Sequence, residues 1–315
     1  MKNPGLIRNP RALRNRKDAE ERHDPAEDWL GSRFAEPGSA EEIRTALQDL
    51  AAKEVDWLII DGGDGTVRDV LTVLPEIFGE RLPRLSIIPS GNSNVIAADV
   101  GSPGRKGALE ALRAAARDGR GEVNSRPCME VHRGSGLPLL RGMFFGAGAF
   151  RRAVEIAHGS AYHERIGHGP SVALTAIITA LQSVFGSKAE SWAAGEAMTL
   201  TLGGAAPRNG HHFIVLATTL DRLILGIWPF WNEASGPIRA LDVSARPERL
   251  GAGLWALLRG RTPEWLRASP DYHSLGTARL RLDLTRDFVL DGEIYPSGPS
   301  GLRLETGPSI DYFRP

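Results

Sequence analysis

Cysteine is all but missing: Cys128 is the single one in 315 residues, so no internal disulfide can form, which suits a reducing, cytoplasmic setting. Net charge is missing too. With 38 Lys+Arg against 38 Asp+Glu, a broad nucleic-acid surface is not expected, although a local basic patch is allowed. The start, Met1-Lys2-Asn3-Pro4-Gly5, has no apolar core behind its charge, so no signal peptide is expected. The greasiest stretches, 171–185 and 213–231, are too short or are broken by Asp221 and Arg222, and no spanning helix is expected. The histidines make no metal motif. His158, His163 and His168 recur every five residues and His211-His212 has no cysteine nearby, a spacing that fits neither one helix face nor a zinc finger.

What is present centres on residues 55–66, Val-Asp-Trp-Leu-Ile-Ile-Asp-Gly-Gly-Asp-Gly-Thr. The run 55–60 has the β-branched and aromatic content of a buried strand. Gly62, Gly63 and Gly65 then suggest positive φ and close backbone approach to a ligand. Val67, Val70, Leu71 and Leu74 follow at helical spacing until Pro75, which puts the glycine turn at a helix N-terminus, where free amides favour an anion. The string is neither GxGxxG nor a Walker loop, since no lysine follows. Asp64 offers a magnesium-facing carboxylate and Thr66 a hydroxyl, the charge logic of a metal-bridged nucleotide.

Two further strings stand in order behind it: Pro89-Ser90-Gly91-Asn92-Ser93-Asn94 after another short strand, and Leu290-Asp291-Gly292-Glu293 near the end. Together with GGDGT they resemble the diacylglycerol kinase catalytic-domain family, which includes bacterial lipid kinases and sphingosine kinases. The resemblance implies an ATP-dependent lipid kinase that uses Mg2+ and moves the γ-phosphoryl group to a diacylglycerol-like or sphingoid-like hydroxyl. It implies nucleotide contacts at Asn9, Gly62, Gly63, Asp64, Gly65, Thr66, Ser90, Gly91, Asn92 and Asn94. Asp64 would hold magnesium indirectly, through the nucleotide, and Asp291 and Glu293 would act on the acceptor hydroxyl. Several positions depart from the pattern. Asn92 replaces a hydroxyl, Arg68 an asparagine and Asp69 a glutamate, and only Asp242 remains of an acidic cluster that holds a structural magnesium in bacterial members. The alternative is therefore a catalytically degenerate lipid- or nucleotide-binding protein of the same fold.

The fold implied is a three-layer α/β nucleotide-binding domain over 1–121, like NAD kinase and diacylglycerol kinase, and a mainly antiparallel lipid-binding sheet domain over 122–315. The tail returns to the first domain in relatives, and the cleft is the expected ligand site. Ser39-Ala40-Glu41-Glu42 reads as a capping box. Strands are expected at 198–202, 213–218, 223–227, 278–284 and 302–305. The apolar helix 171–185 is a candidate acyl-pocket wall. A lipid substrate requires peripheral association with the membrane inner face. The candidates are the basic cluster Arg8, Arg11, Arg14, Arg16 and Lys17, and the aromatic string Trp228-Pro229-Phe230-Trp231.

Overall fold

The computed structural model describes residues 3–15, 25–134, 136–158, 189–223, 226–231 and 236–315. Arg16, Lys17, His163, His168 and the candidate helix 171–185 lie outside the described residues. Two compact units form, one of Met1–Arg126 with Pro308–Pro315 and the other of Pro127–Gly307.

In the first unit, strands β1 (Pro4–Arg8), β2 (Phe34–Ala35), β3 (Trp57–Gly62) and β4 (Arg84–Pro89) lie in the order β2-β1-β3-β4, all parallel. The end of β15 (Leu302–Arg314) extends this order, with Tyr312 beside Leu85. Every residue of β3 is buried, because helices cover both sheet faces, as parallel sheets require. On one face Leu6, Trp57, Ile59 and Phe313 pack with α1 (Pro25–Leu30) and α5 (Ala108–Asp118). On the other lie α2 (Ala40–Ala52) and α3 (Asp64–Phe78), which pack on each other. The short α4 (Val95–Val100) follows β4.

Helix α2 starts as its sequence dictates. The Glu42 amide donates to Ser39 Oγ (3.2 Å), and the Gly38 amide donates to Glu42 Oε2 (2.7 Å). Helix α3 corrects an expectation: it runs past Pro75 to Phe78 and ends at Gly79 (φ 59°), whose amide donates to the Pro75 carbonyl. The proline removes one helix hydrogen bond, but buried Val70, Leu71, Val73 and Leu74 hold the turn by packing.

The second unit is a sheet whose described pairings are all antiparallel. Its order is β14 (Glu293–Tyr295), β13 (Phe288–Leu290), β7 (Phe144–Gly148), β9 (Arg208–Thr218), β8 (Glu196–Leu202), β12 (Arg279–Leu284) and the start of β15. Strands β10 (Ile238–Ser244) and β11 (Tyr272–Thr277) add to β9, while β5 (Glu122–His132) and β6 (Leu140–Gly142) pair beside β15. The expected strand at 223–227 is not formed in its described residues. Residues 238–244 and 272–277 form strands instead. Helix α6 (Ala149–His158) follows β7, with Gly146 packed against the Phe150 ring, where a Cβ would come within 2.2 Å of Phe150 Cδ1, and the short α7 (Ala189–Ala193) precedes β8.

Candidate active site

GGDGT fills the turn from β3 to α3, and Gly63, in extended conformation (φ −98°), is the N-cap. None of Gly62, Gly63 or Gly65 has positive φ, so the expectation of left-handed backbone fails. The glycines are there for space. A Cβ on Gly62 would lie 2.6 Å from Thr66 Cβ, one on Gly63 would lie 2.8 Å from Gly91 Cα, and one on Gly91 would lie 2.5 Å from Gly63 Cα. The two strand-to-helix loops thus meet backbone to backbone. Because Gly63 has no side chain, the first-turn amides of α3 have no side-chain cap.

Asp64 ties the loops together from the other side. The Val95 and Ile96 amides donate to its two carboxylate oxygens, each at 3.0 Å, which caps α4. Burial pushes the Asp64 carboxyl up from its ordinary range, and the Ile96 and Val95 amides pull it back only in part. Both oxygens engage amides, because α4 begins where its own loop offers no side-chain cap.

Ser90 is tied down as well. Its fully buried hydroxyl donates to Asp61 Oδ1 at 2.5 Å, so it faces inward. The loop is held by Asn94, in left-handed conformation (φ 52°). Its Oδ1 accepts from the Gly91 amide (3.0 Å) and its Nδ2 donates to the Gly91 carbonyl (2.9 Å). Asn92 is exposed and makes no side-chain hydrogen bond among the described residues. Asn9 reaches the first loop: its Nδ2 donates to Thr66 Oγ1 at 2.9 Å, and its backbone amide donates to the Asp61 carbonyl at 2.9 Å. Since Thr66 Oγ1 accepts, its own proton stays available to a phosphate oxygen.

Sequence reading missed the hub of this network. Buried Asp61, last residue but one of β3, accepts from Arg8 Nε (2.8 Å) as well as from Ser90 and Asn15 Nδ2 (3.1 Å), and Arg105 Nη2 donates to Asn15 Oδ1 (3.2 Å). Arg14 donates to the Pro89 carbonyl at 3.1 Å. Arg8 and Arg14 are thus structural, while Arg11 is exposed. An acid directly before the glycines was the one available signal.

In the second unit, Leu290 pairs with Glu293 across a two-residue turn, Asp291 (φ 47°) and Gly292 (φ 88°), the backbone of a tight hairpin. The Asp291 carboxylate accepts from the Phe144 amide (2.8 Å) and the Met143 amide (3.1 Å), and its own amide donates to the Phe144 carbonyl (2.8 Å). The closeness depends on Gly142, where a Cβ would lie 2.3 Å from Asp291 Oδ2. Glu293 is exposed, with no side-chain partner among the described residues. Elsewhere in this unit Asp242 is enclosed in an ion cluster, 2.6 Å from His212 Nδ1 and 3.2 Å from Arg208 Nε.

Two glycine loops thus meet at the ends of adjacent parallel strands. Residues 6–124 match the diacylglycerol kinase catalytic domain. That span holds the ten residues of the nucleotide reading; Asp291 and Glu293 lie outside it. No curated protein matches the chain. Among solved structures, a diacylglycerol kinase from Bacillus anthracis str. Sterne is 15% identical, over 100% of this chain and 97% of its own, with a TM-score of 0.63. Two further structures from that organism, provisionally assigned as diacylglycerol kinases, are each 16% identical. One covers 100% of this chain and 98% of its own at a TM-score of 0.66, the other 99% and 96% at 0.63. At such identities the likeness shows the fold: an α/β first part and a mostly antiparallel sheet second part, as the motifs implied. Over residues 6–124 the chain is similar to the catalytic domain of a kinase family.

Proposed function

We propose that the chain is an ATP-dependent lipid kinase that moves the γ-phosphoryl group of ATP to the hydroxyl of a diacylglycerol-like or sphingoid-like lipid. The observation that carries this reading is the contact of Gly63 with Gly91. It brings the two strand-to-helix loops together beside the uncapped start of α3 and the Thr66 hydroxyl, a grouping of amides and hydroxyl that suits phosphate oxygens. The donor set fits magnesium carried with the nucleotide, because the Asp64 oxygens already accept from amides. When bound, the ion would offset charge on the phosphates. The amides of the first turn would orient the phosphates, and Asn9 would hold the Thr66 hydroxyl with its proton outward. Asp291 and Glu293 are the carboxylates for the acceptor proton. Asp291 is anchored by the Met143 and Phe144 amides, and Glu293 is unencumbered.

A second reading, a lipid or nucleotide binder that no longer catalyses, is favoured by one observation: Asp64 and Asp291 both direct their carboxylates at backbone amides. Transfer of labelled phosphate from ATP to a panel of extracted lipids separates the two. The kinase reading expects one lipid class to be labelled. Lipid or ATP binding without transfer supports the binder.

A further inference from the structure

Helix α8 (Leu250–Leu258) reads Leu-Gly-Ala-Gly-Leu-Trp-Ala-Leu-Leu and has no polar side chain at any position. A helix that is apolar all round belongs in a core or in lipid, yet only one side of this one is covered. Gly253, Leu254 and Leu257 are buried, and Gly253 lies so close to Tyr272 that a Cβ would come within 2.5 Å of its hydroxyl. The opposite side presents Ala252 and Trp255 to solvent, with Gly251 and Leu258 half-exposed. At 54% exposure, Trp255 is the most open of the three exposed large apolar side chains among the described residues.

The rim of that face is cationic. Arg249 stands at the start of the helix and Arg259 and Arg261 at its end, all exposed; residues 249–263 contain no acid, and exposed Glu248 and Glu264 flank the stretch. The Arg259 guanidinium lies 4.0 Å from the Trp255 ring centroid, and that of Arg249 lies 5.5 Å from the Trp265 ring. A Cβ on Gly260 would lie 2.8 Å from the Gly226 carbonyl oxygen and 3.7 Å from the Trp228 amide nitrogen, so half-exposed Trp228 adjoins the rim. The string at 228–231, by contrast, is mostly turned inward. Phe230 is buried, Trp231 packs on the core, and Ser274 Oγ accepts from the Trp231 amide and donates to its carbonyl.

We infer that the outward face of α8, with Trp255 at its centre and Arg249, Arg259 and Arg261 around it, is a docking surface for an anionic lipid bilayer. The choice of occupant rests on the lipid-kinase reading and on charge. A bilayer accepts the indole at headgroup depth, and its anionic headgroups pair with the surrounding guanidinia. A second copy of the chain would bring the same arginine rim against itself, which is repulsive.

The test is co-sedimentation of the whole chain with phosphatidylcholine vesicles, with and without phosphatidylglycerol, alongside size-exclusion light scattering without lipid. The expected result is binding that needs phosphatidylglycerol, weakens as NaCl rises from about 0.1 to 0.5 M, and falls about tenfold in Trp255→Ala. Arg259→Gln with Arg261→Gln should lower binding to anionic vesicles, and Ile156→Ala, an exposed apolar site elsewhere, should leave it unchanged. Vesicle binding unaltered in Trp255→Ala overturns the inference, as does a dimer that Trp255→Ala dissolves without lipid. Because no ATP is present, vesicle binding through Trp255 stands even if the chain proves unable to transfer phosphate, and transfer without such binding leaves the kinase reading intact.

Discussion

At the scale of single residues, four side chains carry checkable consequences. Asp64 joins two loops by accepting from the Val95 and Ile96 amides. Asp64→Asn would present an amide donor to amide donors, so a loss of about 1–3 kcal/mol is expected, read as a lower melting temperature, with ATP affinity falling alongside. Asp291 and Glu293 should separate by the same readout. Glu293→Gln, at an exposed site, should keep the melting temperature while lowering turnover by about 10²- to 10⁴-fold if it takes the proton. Asp291→Asn should lower turnover and melting temperature together, because the Met143 and Phe144 amides lose their charged acceptor. Burial pushes the Cys128 thiol up from its ordinary range near 9 to about 12. The folded chain therefore keeps a proton that the unfolded chain releases near 9, and the matching stability is full below that pH and fades as pH rises towards 12. Urea melts at rising pH should show a steeper slope in the parent than in Cys128→Ala, where buried Tyr272, also raised to about 12, still contributes, and iodoacetamide should alkylate the thiol only after unfolding.

At the scale of elements, the two glycine loops are decided by contact rather than by torsion. Gly91→Ala would set a methyl group 2.5 Å from Gly63 Cα, and backbone cannot yield as a flexible side chain can. A cost of about 1–3 kcal/mol is expected, together with weakened nucleotide binding, measured by melting and by ATP titration. Much of this level was legible in the sequence. The capping box at Ser39, the strand into GGDGT and the hairpin at Asp291-Gly292 all follow from local chemistry. The reason for the glycines was not, since Gly63 and Gly91 meet across 28 positions of chain. Nor was the Asp61 hub, whose partners come from two distant segments, Arg8 and Asn15 near the start and Ser90 after β4. Trp228 to Trp231 read as an exposed patch because composition cannot say that Ser274 turns the backbone inward.

At the scale of the whole molecule, the last strand begins in one unit and ends in the other. In the first unit the Phe313 ring meets Trp57 edge-on at 5.3 Å between centroids, and Ser86 Oγ donates to the Phe313 carbonyl at 2.6 Å. Phe313→Ala should cost about 3–5 kcal/mol, seen as an earlier urea midpoint, although the residue is far in sequence from every motif. Fold class was legible at this scale because the motifs mark strand ends. Helix α8 escaped notice because its run of nine apolar residues reads as ordinary core until its uncovered side is seen. The most direct measurement is lipid-dependent transfer of labelled phosphate from Mg-ATP by the purified chain, with Glu293→Gln and Asp64→Asn alongside. The expected result is a labelled lipid from the parent chain, strongly reduced in both variants while Glu293→Gln melts as the parent does. A parent chain that binds ATP and lipid but labels no lipid in the panel would contradict the kinase reading.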